Sequence, residues 1–92
     1  MDTIPLHESH HAIVLRLKRA EGHLHSTIAM IEAGRNCVEV AQQLYAIEKA
    51  ITNAKKTLIH DHIEHCLEMQ AGTDTASTKA SFSEFKEISK YL

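Results

Sequence analysis

The sequence has no tryptophan and only four other aromatic residues, two tyrosines and two phenylalanines, in a chain of 92 residues. So few large side chains leave little material for a core, and a chain this short buries only about 60–65% of its unfolded surface. Three glycines and one proline also argue against a loop-rich fold. We therefore expect one small domain of long regular elements, stabilised by association with further copies of itself.

Two cysteines far apart, Cys37 and Cys66, do not form the disulfide framework of a small secreted protein. The N-terminus lacks the basic and apolar regions of a signal peptide, and no apolar run approaches the length of a membrane span. These absences predict a cytoplasmic protein without membrane contact. The formal net charge of −2 does not exclude nucleic-acid binding, because a local basic patch can act within a nearly neutral protein.

Hydrophobic periodicity predicts an all-α fold with no strands. Apolar residues recur at steps of three and four from Ile13 to Ile31 and again from Val40 to Leu58, and each series forms one helix face. The heptad-like rhythm of the second series suits two long antiparallel helices. A short C-terminal helix would cover them. The predicted segments are a mobile arm over 1–9, helices over 10–33, 37–69 and 81–91, and a linker over 71–80.

The junction between the two long helices carries the residue types of a helix end and a helix start. Gly34 suits the left-handed position that ends a helix, and Asn36 suits the N-cap of the next one. Glu39 lies three residues after Asn36, at the spacing of a capping box. Gly22 lies inside the first helix, where it costs about 1 kcal/mol relative to alanine, which indicates close packing there.

The segment Ile59-His-Asp-His-Ile-Glu-His-Cys66 contains candidate metal ligands. His62 follows Leu58 by four residues and Cys66 follows His62 by four, so an imidazole and a thiolate share the face of the apolar stripe. The alternative is a polar patch at a helix end. His60 and His65 lie on other faces and are not predicted as ligands.

Cys37 is predicted as the first residue of the second helix. Unpaired backbone N–H groups and the positive end of the helix dipole favour the thiolate there, the form that binds metals, although a small packing cysteine is the alternative. The 25 residues between Cys37 and His62 correspond to about 37 Å of helix. One chain cannot close such a site, whereas an antiparallel partner helix from a second subunit can. If the three residues form one site, the protein is at least a dimer with symmetric sites.

With Cys37, His62 and Cys66 at these spacings, and with the stretch Arg16-Leu-Lys-Arg-Ala-Glu-Gly22, the chain resembles the CsoR/RcnR family of small helical transcriptional repressors. The resemblance covers nearly the whole chain. It implies three-helix protomers that form a homodimer and then a homotetramer. It also implies binding to operator DNA in the apo form, release on effector binding, derepression of a metal-efflux gene, and no enzymatic activity.

The resemblance leaves the metal open. Two thiolates and one imidazole resemble the copper(I) sensors of the family. However, Asn36 stands where that branch usually has a tyrosine. Phe82 stands near the position of its helix-three glutamate, with Glu84 close by. The nickel and cobalt branch adds a histidine from the N-terminal arm, for which His7 is the nearest candidate and His10 and His11 are further ones; solvated first-turn histidines are the alternative. We therefore favour Ni(II) or Co(II), with Cu(I) and Zn(II) as alternatives.

Basic residues on the two long helices form the candidate DNA-binding set. The family resemblance places Arg16, Arg19 and Lys56 at or near DNA-contacting positions. Contacts would be mainly to phosphates and therefore salt-dependent, and a solvated helix face is the alternative. Two other functions remain open, a thiol-reactive sensor of aldehyde or sulfur signals and a metal buffer. The full set is Arg16, Lys18, Arg19, Lys49, Lys55 and Lys56.

Overall fold

The structure, a computed structural model, describes residues 8–70 and 75–92, with side chains described for 9–64 and 82–92. It contains three helices, and none of the described residues forms a strand, which confirms the predicted all-α class. Positions 1–7 of the predicted arm over 1–9 lie outside the described residues. The helices are α1 (Glu8–Glu32), α2 (Cys37–Gln70) and α3 (Thr75–Ser89).

The α1–α2 junction forms as its residue types predict. Gly34 adopts a φ of 75°, and its amide donates to the carbonyl of Ile31 at 3.0 Å, while the amide of Arg35 donates to Met30 at 2.9 Å. This pair of bonds is a Schellman motif, which satisfies carbonyls at the end of α1. The side-chain oxygen of Asn36 accepts from the amide of Val38 at 2.7 Å, so it caps α2. The short turn makes α1 and α2 antiparallel.

Glu39 does not complete the predicted capping box. Its carboxylate accepts instead from the Arg35 guanidinium at 3.2 Å, so the two side chains form an exposed ion pair across the junction. Gly22 also differs from expectation. A Cβ built on it meets no atom within 4 Å, so the prediction of close packing at Gly22 is wrong within this protomer.

The core between α1 and α2 is narrow and built partly from alanine. The buried hydrophobic residues of the described part are Ile13, Ala20, Ile47, Ala54 and Ile59. Thr27 is fully buried as well, and its hydroxyl donates to the carbonyl of His23 at 2.8 Å, which satisfies it. Most other members of the predicted stripes remain substantially exposed and turn outward on one side: Leu17, Leu24, Ile28, Ile31, Leu44, Ile51 and Leu58.

Helix α3 packs against α2 and, within the described parts of the chain, does not reach α1. It begins at Thr75, earlier than the predicted start at Ser81, so most of the predicted linker over 71–80 is helical; positions 71–74 lie outside the described residues. The small polar residues before Phe82 show no apolar periodicity, so the sequence pattern did not predict a helix there. None of the described helices is long and apolar enough to cross a membrane.

The protomer is one layer of helices thick. Its principal extents are 60 × 28 × 13 Å, and its accessible surface is 6873 Å². A compact monomer of 10.3 kDa exposes roughly 5,400 Å² by the usual size scaling. A single layer cannot enclose its apolar residues on both sides, so one apolar face stays exposed.

Candidate metal centre and basic face

Cys37 and His62 lie at opposite ends of one face of α2. From Cys37, steps of seven lead to Leu44, Ile51 and Leu58, and a further step of four leads to His62. Such steps keep residues on one side of a helix. These apolar residues are exposed, as is the free thiol of Cys37. The candidate ligands are therefore continuous with the exposed apolar face.

Within one protomer the candidate ligands are far apart. Cys37 begins α2 and His62 lies near its end, so the helix holds them about 37 Å apart. Among the described side chains, no cluster of three or more histidine, cysteine, aspartate or glutamate residues has metal-binding geometry. Cys66 belongs to α2, four residues after His62, and its side chain lies outside the described part.

His62 lies against a carboxylate from α3. Its Nε2 atom is 3.7 Å from Oε1 of Glu84, and its side chain is 30% exposed. Nε2 is thus the ring nitrogen directed toward Glu84, and Nδ1 is the one directed away from it. The family resemblance leaves Phe82 near the position of this carboxylate with Glu84 close by, and Glu84 is the side chain that contacts His62. Only the placement of α3 on α2 could reveal this contact, because no periodicity links positions 62 and 84.

Two of the candidate arm histidines, His10 and His11, lie at the same end of the hairpin as His62. His10 is half-buried and His11 is exposed, both in the first turns of α1, and the antiparallel arrangement places these turns near the end of α2. His60 is exposed. His7 and the side chain of His65 lie outside the described part of the chain.

The predicted DNA-binding residues divide between two surfaces. Arg16 and Arg19 line a polar cavity between α1 and α2 together with Asn53 of α2. Lys49 and Lys56 occupy the same side of α2 as Asn53 by helical spacing, and the Lys49 ammonium lies 5.5 Å from the centre of the Tyr45 ring.

Lys18 lies apart from the other α1 cations. It lines an apolar groove with the buried Ile47 and with Leu17, Leu24 and other residues of the exposed apolar face. Lys55 is on that side of α2 as well, two turns before the position of His62. The basic face defined by this geometry therefore contains Arg16, Arg19, Lys49 and Lys56, and it is separate from the apolar groove.

Comparison with known proteins places the chain among metal-responsive regulators. The family model described as "Metal-sensitive transcriptional repressor" matches residues 9–92. The copper-sensing transcriptional repressor CsoR of Bacillus subtilis is 31% identical over 80 residues, which cover 85% of this chain and 79% of that protein. No solved structure matches significantly.

Mycobacterial relatives match over a shorter region. CsoR of Mycobacterium ulcerans, also named a copper-sensing transcriptional repressor, is 40% identical over 55 residues, 60% of this chain. The copper-sensing transcriptional repressor RicR of Mycobacterium tuberculosis is 33% identical over 52 residues. The matched region spans 47% of the M. ulcerans protein and 54% of RicR, so the chain covers about half of their lengths.

Proposed function

Because the chain belongs to the metal-sensitive transcriptional repressor family, we propose that it binds operator DNA in the metal-free state and releases it on binding metal. Membership confirms the family resemblance found in the sequence. It also confirms that the protein is a regulator rather than an enzyme. The expected target is a gene for metal efflux, whose derepression removes the metal that is sensed.

The proposed metal site is formed between subunits from Cys37 of one protomer and His62 and Cys66 of the partner subunit. The observation that carries this proposal is that Cys37 and His62 occupy the two ends of one exposed face of α2. An antiparallel pairing of two protomers through that face aligns opposite ends of the two α2 helices. It covers the apolar residues and forms two symmetric sites in the same step. Two such dimers would form the proposed homotetramer.

We propose Cu(I) as the sensed metal. Two thiolates and one imidazole suit a soft ion of low coordination number, and the CsoR proteins of Bacillus subtilis and Mycobacterium ulcerans, to which the chain is similar, are named copper-sensing repressors. The contact of Glu84 with His62 supplies a carboxylate on α3, which the sequence had left in doubt for this branch. The earlier preference for Ni(II) or Co(II) rests on the histidine-rich start, with His7, His10 and His11 as additional ligands. Ni(II), Co(II) and Zn(II) are the alternatives to Cu(I) as the sensed metal.

Each residue has a distinct role in this mechanism. The Glu84 carboxylate orients the His62 imidazole and leaves Nδ1 for the metal, as carboxylate–histidine pairs do in metalloproteins. Cys37 ties the start of one α2 helix to the end of the other. The bound metal supplies bonds that fix the relative position of the two protomers. DNA release follows if that arrangement suits operator DNA poorly, and by linkage metal then binds the free protein more tightly than the DNA complex.

Replacing Cys37 with alanine tests the proposal. The apo Cys37→Ala protein should bind a labelled duplex from upstream of its own gene as the wild type does, because the basic face is unchanged. Cu(I) added anaerobically should dissociate the wild-type complex and leave the variant bound, as followed by fluorescence anisotropy. Normal release of DNA by the variant on metal addition would contradict the scheme.

A mixture of two defective variants tests whether the site joins subunits. Cys37→Ala and His62→Ala homodimers each lack a complete site. A mixed dimer has one intact site, because the intact Cys37 and the intact His62 come from different chains. Copper binding should therefore reappear when the two are mixed and allowed to exchange subunits. Its failure to reappear, with exchange verified, would rule out the intersubunit arrangement.

The same assay separates the alternatives. Titration with Ni(II) and Co(II), monitored by their thiolate charge-transfer and ligand-field bands, identifies a nickel or cobalt sensor if release follows those bands and His7→Ala weakens it. Release by an aldehyde or a sulfur donor without metal identifies a thiol-reactive sensor. Metal binding without any DNA binding identifies a metal buffer.

A further inference from the structure

A polar cavity of about 490 Å³ lies between α1 and α2, on the opposite side of their contact from the apolar groove. Its lining contains four polar side chains, from Arg16, Arg19 and His23 on α1 and Asn53 on α2, with two alanines between the helices. The alanines leave the space open because they carry no side chain beyond Cβ. The cavity therefore has a small apolar floor and a rim of hydrogen-bonding groups.

The charged side chains on the rim of the cavity are all positive. Two guanidinium groups face the cavity, and no carboxylate is among its described lining residues. The apolar groove, in contrast, combines Lys18 with Glu21. Guanidinium pairs bind oxyanions through charge-assisted hydrogen bonds, and phosphate oxygens fit their fixed donor geometry. The amide of Asn53 adds a neutral donor from the second helix.

A hydrogen bond between the helices holds one end of the cavity. Nε2 of His23 donates to the Oε1 atom of Gln43 at 2.5 Å, and the carbonyl of His23 accepts from the buried hydroxyl of Thr27. These bonds fix the His23 backbone and ring between α1 and α2. His23 is thus a positioning residue that sets the distance between the arginines of α1 and Asn53 of α2.

We propose that this cavity binds one phosphodiester group of the operator backbone. The inference rests on the proposed DNA binding and adds Asn53 and His23 to it. Arg16 and Arg19 supply the charge, and Asn53 contacts the same phosphate from α2. Because the phosphate is held by both helices, its binding depends on their relative position. Metal binding at the ends of α2 would change how α2 packs against α1. That change would alter the geometry of this cavity and so weaken its contact with the phosphate.

The test measures the affinity of the full-length apo protein for the labelled upstream duplex as a function of KCl concentration. Arg16→Gln should reduce the slope of log K against log salt by about 0.9 for each protomer that contacts DNA. Asn53→Ala should weaken binding on the order of fivefold with the slope unchanged, because the amide is a neutral donor. Asn53→Asp should weaken binding further, since it places a carboxylate against the phosphate.

Two control variants match these changes outside the cavity. His25→Gln alters an exposed histidine on α1, for comparison with His23→Gln, which removes the ring that bridges to Gln43. Lys90→Gln removes one positive charge from the exposed turn that follows α3. Both controls should keep the wild-type affinity and slope, whereas His23→Gln should weaken binding several-fold. Helical content and oligomeric state are compared for every variant.

The outcomes distinguish this inference from the proposed function. If wild-type apo protein does not bind the duplex, the DNA-binding proposal fails. If wild type binds and the cavity variants match it in affinity and slope, the cavity proposal fails while DNA binding stands. A reduced slope for Arg16→Gln with no effect of either Asn53 variant would also overturn it, since the arginine would then contact DNA from the surface alone.

Discussion

At the scale of single residues, Glu84 is the side chain whose role depends most on the structure. Its carboxylate lies 3.7 Å from Nε2 of His62 and is itself 63% exposed. Glu84→Gln should therefore keep the fold and weaken metal binding by about 10- to 100-fold, the usual effect of losing a carboxylate that orients a ligating histidine. Competition with a Cu(I) chelator measures this affinity.

Glu87 provides the matched control for this change. It lies one turn further along α3 and pairs with Lys90 at 3.2 Å. Glu87→Gln removes the same charge from the same helix without touching His62, so its metal affinity should equal that of the wild type. Equal losses for both variants would mean that the net charge of α3 matters and that the contact with His62 does not.

Single residues differ in how far the sequence predicts them. Gly34 and Asn36 act on the backbone within three residues of themselves, so their roles at the junction followed from residue type. The ion pair of Glu39 with Arg35 and the contact of Glu84 with His62 did not, because each depends on which of several reachable partners the folded chain brings near. The ligand roles of Cys37, His62 and Cys66 remain predictions.

At the scale of elements, the two glycines within the described residues, Gly22 and Gly34, predict opposite effects on helix stability. A Cβ at Gly22 meets no atom, so Gly22→Ala should stabilise α1 by about 0.5–1 kcal/mol through its higher helix propensity. A Cβ at Gly34 also has space, but its φ of 75° is strained for alanine, so Gly34→Ala should destabilise the protein by about 1–2 kcal/mol.

Thermal unfolding followed by circular dichroism measures both glycine variants. For a domain of this size, 1 kcal/mol shifts Tm by about 4–8 °C, which is readily resolved. A lower Tm for Gly22→Ala would mean that a second protomer packs closely against Gly22, since no atom of its own chain does. The pair therefore also tests which side of α1 is covered in the assembly.

The elements themselves were predicted to the extent that apolar periodicity marks them. Both long helices carry stripes at steps of three and four, and α2 begins at Cys37 as expected. The early start of α3 at Thr75 was missed, because apolar periodicity in that segment begins only at Phe82. Periodicity also could not reveal that only part of each stripe is buried within the protomer, since it identifies an apolar face without identifying what covers it.

At the scale of the whole molecule, the exposed apolar face links assembly to metal binding. The face includes Leu44, Ile51 and Leu58 on α2 with Leu17 and Leu24 on α1, and each is between 40% and 48% exposed in the protomer. A continuous patch of this kind on a single-layer protein indicates a subunit interface. We expect dimerisation through this face, with the metal ligands at its two ends.

Ile51→Glu tests this link without altering any proposed ligand. Ile51 lies near the middle of the face at 48% exposure, and burying an unpaired carboxylate there should oppose dimerisation strongly. Sedimentation should then show monomers, and Cu(I) affinity should fall as far as in Cys37→Ala, because no partner brings Cys37 to His62. Val38→Glu is the matched control, since Val38 is 65% exposed on the opposite side of α2 and should leave the dimer intact. If a monomeric Ile51→Glu protein still bound copper with wild-type affinity, the metal site would lie within one chain. Cys37 and His62 could not both belong to such a site, because α2 holds them too far apart. That outcome would therefore require a different ligand set.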